Sequence, residues 1–191
     1  MLDPMTSSPQ HHHAVKFYSD QRSLCATVAG FLSEGLIAGE PALVIATPAH
    51  REAICAHLSG REIDCPKALK DGSLVLVDAD DVLGLFMVDG MPDAELFDRN
   101  VGVFIRQLLD DRPVVIRAYG EMVDVLWKRN MPDAAIQLEL LWNKLALKYH
   151  FALLCGYAMG NFYKQSKQRD DICAQHSHVV EGDVVPFRRT A

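Results

Sequence analysis

Residues 31–47 read FLSEGLIAGEPALVIAT, and this stretch decides the fold. Ahead of and within it, apolar side chains recur at the 3.6-residue period of a helix: Leu24, Val28, Phe31, Leu32 and Leu36. Ser19 or Asp20 can cap the start of this helix, and Gly39 ends it. Residues 42–47 then form an apolar run of the kind found in strands that are buried on both faces.

The same alternation of strand and helix continues along the chain. Buried strands are predicted at 14–18, 42–47, 73–78, 114–119 and 151–157. Further helices are predicted at 48–58, 93–108, 121–128 and 133–149, with short helices near 159–176. Because apolar strands separated by helices form parallel sheets, the sequence predicts one α/β domain with a mostly parallel central sheet and helices on both faces.

The chain divides into one folded unit and two tails. Residues 1–12 are polar and contain two prolines, so we expect them to be disordered. Residues 13–179 carry all the predicted strands and helices and form the folded domain. Residues 180–191 are expected to be a flexible tail.

Composition narrows the class of protein. Apolar residues make up 49% and charged residues 23% of the chain, which is typical of a globular protein with a proper core. No apolar run approaches the roughly 20 residues that a bilayer requires, and the first residues lack the features of a signal peptide, so we expect a cytoplasmic protein without membrane contact. The net charge of −6 argues against direct binding to nucleic acid.

A nucleotide-binding loop is missing where one would be expected. The stretch at 31–47 resembles the RecA/KaiC class of ATPases, in which a similar FL-x-EG-x-x-x-GE-P pattern leads into a strand. In that class a P-loop, G-x-x-x-x-G-K-[ST], precedes the helix and binds phosphate through its amides and lysine. The corresponding residues 18–23 read YSDQRS, with no glycine, no lysine and one acid. We therefore expect no ATP and no other cofactor.

Seven segments in order identify a more specific resemblance. They are HAVKFY at 13–18, FLSEGLIAGEPALVIAT at 31–47, DA at 78–79, FMVDGMPD at 86–93, YGEMV at 119–123, LELLWN at 138–143 and HSHV at 176–179. Together they resemble the MEDS family (methanogen/methylotroph, DcmR sensory domain). The resemblance implies a RecA-like sensory domain without a P-loop, proposed in that family to sense small hydrocarbon-derived molecules.

The same resemblance implies a protein partner. Domains of this family are attached to DNA-binding domains or histidine kinases, and neither is found in this chain. We therefore expect a stand-alone sensor that binds a small molecule and signals through a histidine kinase or a transcriptional regulator. A second copy of the chain is a further candidate partner.

The strand-end rule selects the candidate site, because parallel sheets bind ligands beyond the carboxyl ends of their strands. Strand ends contribute the first four candidates, and the resemblance adds a helix pair to complete the predicted crevice: Tyr18, Arg117, Tyr119, Glu121, Glu139 and Trp142. Other readings stay open. Glu121 could instead favour a helix N-terminus, Arg117 could pair with an acid at the edge of the core, and Trp142 could belong to the core.

A metal site is a weaker alternative, and our main prediction is that there is none. The spacing C-x-x-H-x-H in Cys173, His176 and His178 could join His13 in space, and zinc uses Cys and His ligands. If His13 and His176 meet, a pH-sensitive contact is another option. The five cysteines are odd in number and show no C-x-x-C spacing, so neither a disulfide framework nor a zinc ribbon is expected.

Catalytic signatures are missing from the sequence. It contains no G-x-S-x-G, no H-E-x-x-H and no G-x-G-x-x-G, so we expect a binding protein and not an enzyme. Cys155 lies inside a predicted strand and is expected to be buried and inert. Two alternatives remain: an interaction module that docks a kinase or regulator without a small ligand, and an enzyme that uses Glu121.

The first prediction concerns nucleotide. We expect no useful binding of Mg-ATP, because the loop that would hold its phosphates is replaced by YSDQRS. Isothermal titration calorimetry should show no heat of binding, with a P-loop ATPase as positive control. A micromolar affinity would contradict this prediction.

Overall fold

The computed structural model describes residues 12–110, 114–162, 166–182 and 185. Its strands are β1 (His12–Tyr18), β2 (Ala42–Ala46), β3 (Leu74–Asp78), β4 (Met87–Val88), β5 (Met91–Pro92), β6 (Ile116–Gly120), β7 (Phe151–Ala158) and β8 (His178–Val179). Its helices are α1 (Gln21–Ile37), α2 (Pro48–Ser59), α3 (Cys65–Asp71), α4 (Ala79–Gly84), α5 (Ala94–Leu109), α6 (Met122–Lys128), α7 (Pro132–Ala146) and α8 (Ser166–Cys173).

Six of the strands form one parallel sheet in the order β3-β2-β6-β7-β1-β8. The predicted α/β class, the parallel sheet and the five main strands are confirmed. The sequence pattern did not indicate β8, α3, α4 or the small β4–β5 hairpin, all of which are shorter than the segments that periodicity can recognise.

Helices cover both faces of this sheet, as predicted. Alternate side chains of each strand point to opposite faces. On one face they pack against α1, α2 and α3, and we call this the α1 face. On the other they pack against α4 to α8, and we call this the α7 face. The two faces therefore hold two separate hydrophobic cores.

The FL-x-EG-x-x-x-GE-P stretch surrounds one buried arginine of β6. Arg117 Nε donates to Glu40 Oε2 at 2.8 Å, and both side chains are buried. The guanidinium lies 5.0 Å from the centre of the Phe31 ring. Gly35 is required because a Cβ there would collide with the Arg117 side chain. The stretch therefore builds the pocket that makes a buried positive charge tolerable.

The predicted tails are partly ordered. Residues 1–11 lie outside the described residues, while His12 is the first residue of β1. Val180 and Val185 are buried against the α1-face core, and Lys16 Nζ donates to the Gly182 carbonyl. These residues of the predicted C-terminal tail therefore pack onto the sheet, and the other residues of 183–191 lie outside the described part. No described helix is long and apolar enough to cross a bilayer.

The second prediction tests the buried ion pair. Glu40→Gln removes the charge that compensates Arg117 and should lower the free energy of unfolding by about 3 kcal/mol. Urea denaturation at neutral pH measures the change. Glu34→Gln, at an exposed position of α1, is the matched control and should stay within about 0.5 kcal/mol of the parent protein. Equal stability of the two variants would contradict the role assigned to Arg117.

Candidate functional site

A buried carboxylate stands at the carboxyl end of β6. Glu121 Oε1 accepts from the Thr47 amide at 2.5 Å, and Oε2 lies 2.5 Å from His50 Nδ1. The Tyr119 hydroxyl donates to Glu121 Oε2 at 3.0 Å. Thr47 and His50 follow β2, the neighbour of β6, so parallel pairing brings these groups together. Glu121 is 2% exposed, and its negative charge is held by hydrogen bonds rather than by water.

A second carboxylate, Asp124, continues the site toward β1 and β7. Its Oδ2 accepts from the Tyr18 hydroxyl at 3.0 Å, and its Oδ1 accepts from the Ala158 amide at 2.9 Å. Lys128, one turn further along α6, brings its Nζ to within 2.7 Å of Oδ2. The Tyr18 ring also makes an edge contact with His50, with ring centres 6.2 Å apart. We call Tyr18, His50, Tyr119, Glu121 and Asp124 the carboxyl-edge cluster.

The protonation states in this cluster follow from burial and hydrogen bonding. Burial by itself raises the pKa of Glu121, but hydrogen bonds and charge from His50 and the hydrogen bond from Thr47 outweigh it and hold that pKa below its ordinary value. Burial and the Glu121 charge raise the pKa of Tyr119 well above its ordinary value, so its hydroxyl remains a donor. Gly156 makes room for that hydroxyl, since a Cβ would lie 2.7 Å from it.

An open cleft of about 370 Å³ lies beside this cluster, between α1 and α2. Its polar wall consists of Gln21, Arg22, His50 and His57, and its less polar wall of Cys25, Ala49, Ala53 and Ala56. His50 belongs both to the wall and to the hydrogen-bond network of Glu121. Burial raises the pKa of Cys25 to about 11, so its thiol is protonated at neutral pH.

A different polar cluster is buried on the α7 face. Glu139 of α7 is fully buried, and the Tyr157 hydroxyl donates to its Oε1 at 2.7 Å. Its Oε2 lies 3.2 Å from His13 Nε2 and 3.5 Å from Cys155 Sγ, and His176 Nε2 lies 3.4 Å from Oε1. We call His13, Glu139, Cys155 and His176 the Glu139 cluster.

Electrostatics in the Glu139 cluster favour a charged carboxylate. Burial by itself raises the pKa of Glu139, but the nearby His176 charge and hydrogen bonds from both histidines lower it far below its ordinary value. Burial lowers the pKa of His176, but the Glu139 charge outweighs this effect and the net shift is upward. Burial and the Glu139 charge raise the pKa of Cys155 well above its ordinary value.

The six predicted ligand-binding residues do not meet in one crevice, which corrects the sequence-based picture. Tyr18, Tyr119 and Glu121 do lie together in the carboxyl-edge cluster. Arg117 is on the same face but near the amino end of β6, where it binds Glu40, so its role as an ion-pair partner is the one the structure supports. Arg117 lies apart from Glu121 because the two-residue period of a strand determines which face a side chain points to, but not how near it lies to the end of the strand.

Glu139 and Trp142 lie on the opposite face of the sheet from the other four. Trp142 is 1% exposed and packs edge-on against Phe97 and Phe151, with ring centres 5.2 Å and 5.9 Å away. It is therefore a core residue of the α7 face. Glu139 and Trp142 are neighbours on α7, as predicted, but that helix covers the other side of the sheet.

Of the four residues suggested as metal ligands, two lie together and two do not. His13 and His176 do meet, with ring centres 4.1 Å apart. Cys173 and His178 are not part of the cluster: His178 lies against His12, and Cys173 is in α8. Glu139 and Cys155 take their places, and Cys155 is buried as expected.

Sequence reasoning missed three members of the two clusters. His50 follows the end of β2, so the strand-end rule points to its neighbourhood but cannot select it over Pro48 or Ala49. Asp124 gave no signal because it reads as an ordinary acid in the first turn of α6. Cys155 lies opposite Val15 of β1 in a fully apolar strand, and nothing in the sequence pairs it with Glu139.

A comparison with protein families shows which family the chain belongs to. A family profile described as MEDS: MEthanogen/methylotroph, DcmR Sensory domain, matches residues 12–177. The chain belongs to the MEDS family. No curated protein compared with the chain matches it. The family description indicates a sensory role for this MEDS domain.

The segments that resemble the family supply part of each cluster of the MEDS domain. Residues 119–123 carry Tyr119 and Glu121 of the carboxyl-edge cluster, and residues 13–18 end at Tyr18. Residues 138–143 and 176–179 carry Glu139 and His176 of the other cluster. His50, Asp124 and Cys155 complete the two clusters from outside these segments.

The third prediction concerns acid stability. Since the pKa of Glu121 is lowered in the folded state, its charge contributes stability above the unfolded value of about 4.3, and this contribution is lost as pH falls below it. Glu121→Gln should lower the free energy of unfolding at pH 7 by about 1–3 kcal/mol. The deficit should shrink as pH is lowered through about 4.3.

Urea denaturation of both proteins across this pH range measures the effect. Glu52→Gln, at an exposed position of α2, is the control for removing one carboxylate and should follow the parent protein. A deficit for Glu121→Gln that does not change with pH would mean that Glu121 is not the charged centre of the cluster.

Proposed function

We propose that the protein is a sensor that binds a small molecule in the cleft between α1 and α2 and signals through a separate protein partner. The single observation that carries the proposal is the double role of His50. This side chain forms part of the cleft wall, and its Nδ1 lies 2.5 Å from the buried carboxylate of Glu121. A ligand that contacts His50 therefore acts on the carboxyl-edge cluster directly.

The composition of the cleft favours a small molecule with an apolar body and one polar group. Cys25, Ala49, Ala53 and Ala56 offer small, weakly polar surfaces, which gain roughly 25 cal/mol for each Å² of apolar area buried. Gln21, Arg22 and His57 offer hydrogen-bond donors around the same space. The volume of about 370 Å³ lies at the small end of the range usual for ligand pockets. Short oxygenated hydrocarbons fit this description.

We assign binding and not catalysis to this cleft. A general base needs a free lone pair within reach of a substrate proton. Glu121 already accepts hydrogen bonds from the Thr47 amide and the Tyr119 hydroxyl and contacts His50, and it is buried behind that ring. Burial behind the ring keeps the Glu121 carboxylate out of reach of a substrate proton in the cleft, and the carboxylate serves to position His50.

A route for the signal begins at the same contacts. Glu121 is the residue before α6, and Asp124 in the first turn of that helix holds Tyr18 and the end of β7. A ligand that draws His50 away from Glu121 removes one donor from a buried carboxylate, at a cost of about 1–3 kcal/mol. The cluster must then rearrange, and α6 moves relative to β1 or β7. A partner that contacts this edge of the domain would detect that change.

One observation favours the alternative of an interaction module that needs no small ligand. Leu85, Val88 and Met91 lie close together in sequence around the β4–β5 hairpin, and each is more than 40% exposed. Grouped apolar exposure of this kind is typical of protein docking surfaces. If the protein is an interaction module, Val88→Asp should abolish binding of the protein partner. If it is a small-molecule sensor, Val88→Asp should leave small-molecule binding unchanged.

The fourth prediction tests the cleft itself. Saturation-transfer NMR with a panel of short-chain alcohols, aldehydes and carboxylates should detect binding to the intact protein. Ala56→Trp fills the cleft from an exposed position of α2 and should remove that binding, by a factor of at least about ten. Ala94→Trp, at an exposed position of α5 away from the cleft, is the matched control and should bind like the parent protein.

Two results would contradict the proposal. One is ligand binding that survives Ala56→Trp in a protein whose circular dichroism is unchanged, because the ligand then occupies another site. The other is native mass spectrometry of protein purified from its own host that shows no bound small molecule, together with no response to any member of the panel.

A further inference from the structure

Four potential metal ligands converge in the Glu139 cluster. They are His13 from β1, Glu139 from α7, Cys155 from β7 and His176 from the segment between α8 and β8. One ligand atom from each lies within 4.8 Å of all the others. Three of these residues are buried, and the His176 side chain is 0% exposed. Such a set differs from surface acidic clusters, because every member is held in place by packing.

The outer contacts of the two histidines fix which nitrogen faces the cluster. His176 Nδ1 lies 2.8 Å from the Ile172 carbonyl, an oxygen that can only accept, so Nδ1 carries a hydrogen. His13 Nδ1 lies 2.8 Å from Asn143 Oδ1. The amide of Asn143 is oriented by its Nδ2, which donates to the Gln175 carbonyl at 3.0 Å, so His13 Nδ1 also carries a hydrogen.

With a hydrogen on Nδ1 of both rings, each Nε2 faces the carboxylate of Glu139 and can hold either a proton or a metal ion there. Two lone pairs facing a negative group in a buried space repel, unless a proton or a cation lies between them. The contact of His176 Nε2 with Glu139 Oε1 is long for a hydrogen bond, at 3.4 Å. Hydrogen bonds from histidine Nδ1 to an amide or backbone carbonyl are also the usual outer-shell support of a metal-bound histidine.

We propose that the Glu139 cluster binds one Zn²⁺ ion through His13 Nε2, His176 Nε2, Cys155 Sγ and a Glu139 oxygen. Ligands of tetrahedral zinc, with Zn–N of about 2.0–2.1 Å and Zn–S of about 2.3 Å, lie roughly 3.3–3.7 Å from one another. His13 Nε2 is 3.2 Å from Glu139 Oε2 and 3.3 Å from Cys155 Sγ, and Cys155 Sγ is 3.5 Å from Glu139 Oε2. These three distances are close to those of such a shell, and His176 Nε2 completes the set of four ligand atoms within 4.8 Å of one another.

The charges also balance. A thiolate at Cys155, the carboxylate of Glu139 and two neutral imidazoles give a net charge of zero with Zn²⁺, so the complex can be buried without an uncompensated charge. Binding releases the thiol proton of Cys155 and any proton shared by the histidines. Four protein ligands leave no open position, which is typical of a structural zinc site and not of a catalytic one.

Such an ion would fasten the C-terminal segment to the sheet. His176 and Ser177 precede β8, which pairs with only two residues of β1. The Ser177 hydroxyl accepts from the His13 amide and lies within hydrogen-bond distance of the His13 carbonyl. The Ser177 amide donates to the same carbonyl. Zinc would add a bond from this segment to β1, β7 and α7 together. The inference is independent of the cleft between α1 and α2, which lies on the other face.

The fifth prediction is one zinc per chain. The full chain, purified without a metal-affinity tag under reducing conditions, should contain or take up one equivalent by elemental mass spectrometry. X-ray absorption of the unmodified protein should show one sulfur and three nitrogen or oxygen neighbours. Cys155→Ser and His176→Gln should each weaken zinc binding more than about 100-fold, and Asn143→Ala about 10- to 100-fold, as expected for an outer-shell partner.

Two control variants distinguish zinc bound by the Glu139 cluster from zinc bound by the C-x-x-H-x-H residues. Cys173→Ser and His178→Gln alter that spacing but not the cluster, so both should bind zinc like the parent protein. Zinc should raise the melting temperature of the parent protein and of these two variants, but not that of Cys155→Ser. Circular dichroism checks that each variant is folded.

Three results would overturn the proposal. The first is an unmodified protein that binds zinc weakly or not at all after treatment with a chelator. The second is an absorption spectrum that lacks a sulfur neighbour. The third is loss of zinc binding in Cys173→Ser or His178→Gln, which would show that the ion is bound by the C-x-x-H-x-H residues and not by the Glu139 cluster.

Discussion

Strand β6 and the residue that follows it place three polar side chains in the interior of the α1 face or at its edge, and each of them requires a partner. A buried polar or charged group without a partner costs several kcal/mol, comparable to a large part of the stability of a domain. Arg117 binds Glu40, Tyr119 binds Glu121, and Glu121 binds Thr47 and lies against His50. Glu40 and Thr47 flank β2, and His50 lies in the first turn of α2, which follows it. Correct pairing of β2 with β6 is therefore required both for the core and for the candidate site.

Sequence patterns predicted this frame well and the sites only in part. Long apolar strands and periodic helices gave the sheet, because burial on both faces leaves a strong signal. Strand parity correctly placed Arg117 and Tyr119 on one face, but it carries no information on which end of the strand a side chain serves. The contact between His13 and His176 depends on β8, a two-residue strand, and so short a pairing leaves no periodic pattern in the sequence.

The edge beyond β1 carries an acid at the start of α1. A helix N-terminus attracts anions, and phosphate is the anion that P-loop proteins place there. In this protein the Asp20 side chain accepts from the Arg22 and Ser23 amides and so occupies the N-terminus of α1 with a carboxylate of its own. The open cleft lies instead between α1 and α2. A phosphate group would meet a carboxylate at this helix N-terminus and be repelled.

The place of β1 in the sheet has a consequence for how the chain acquires its structure. This first strand lies between β7 and β8, which are the last strands along the sequence, and its register runs from His12 opposite Ala152 to Tyr18 opposite Ala158. Contacts of such high sequence separation slow folding, since a long loop must close before any pairing is gained. During synthesis at about 5–20 residues per second, β1 has no partner until the end of the domain has left the ribosome. This strand and its buried histidine, His13, therefore stay without their native neighbours for roughly 7–30 seconds of synthesis.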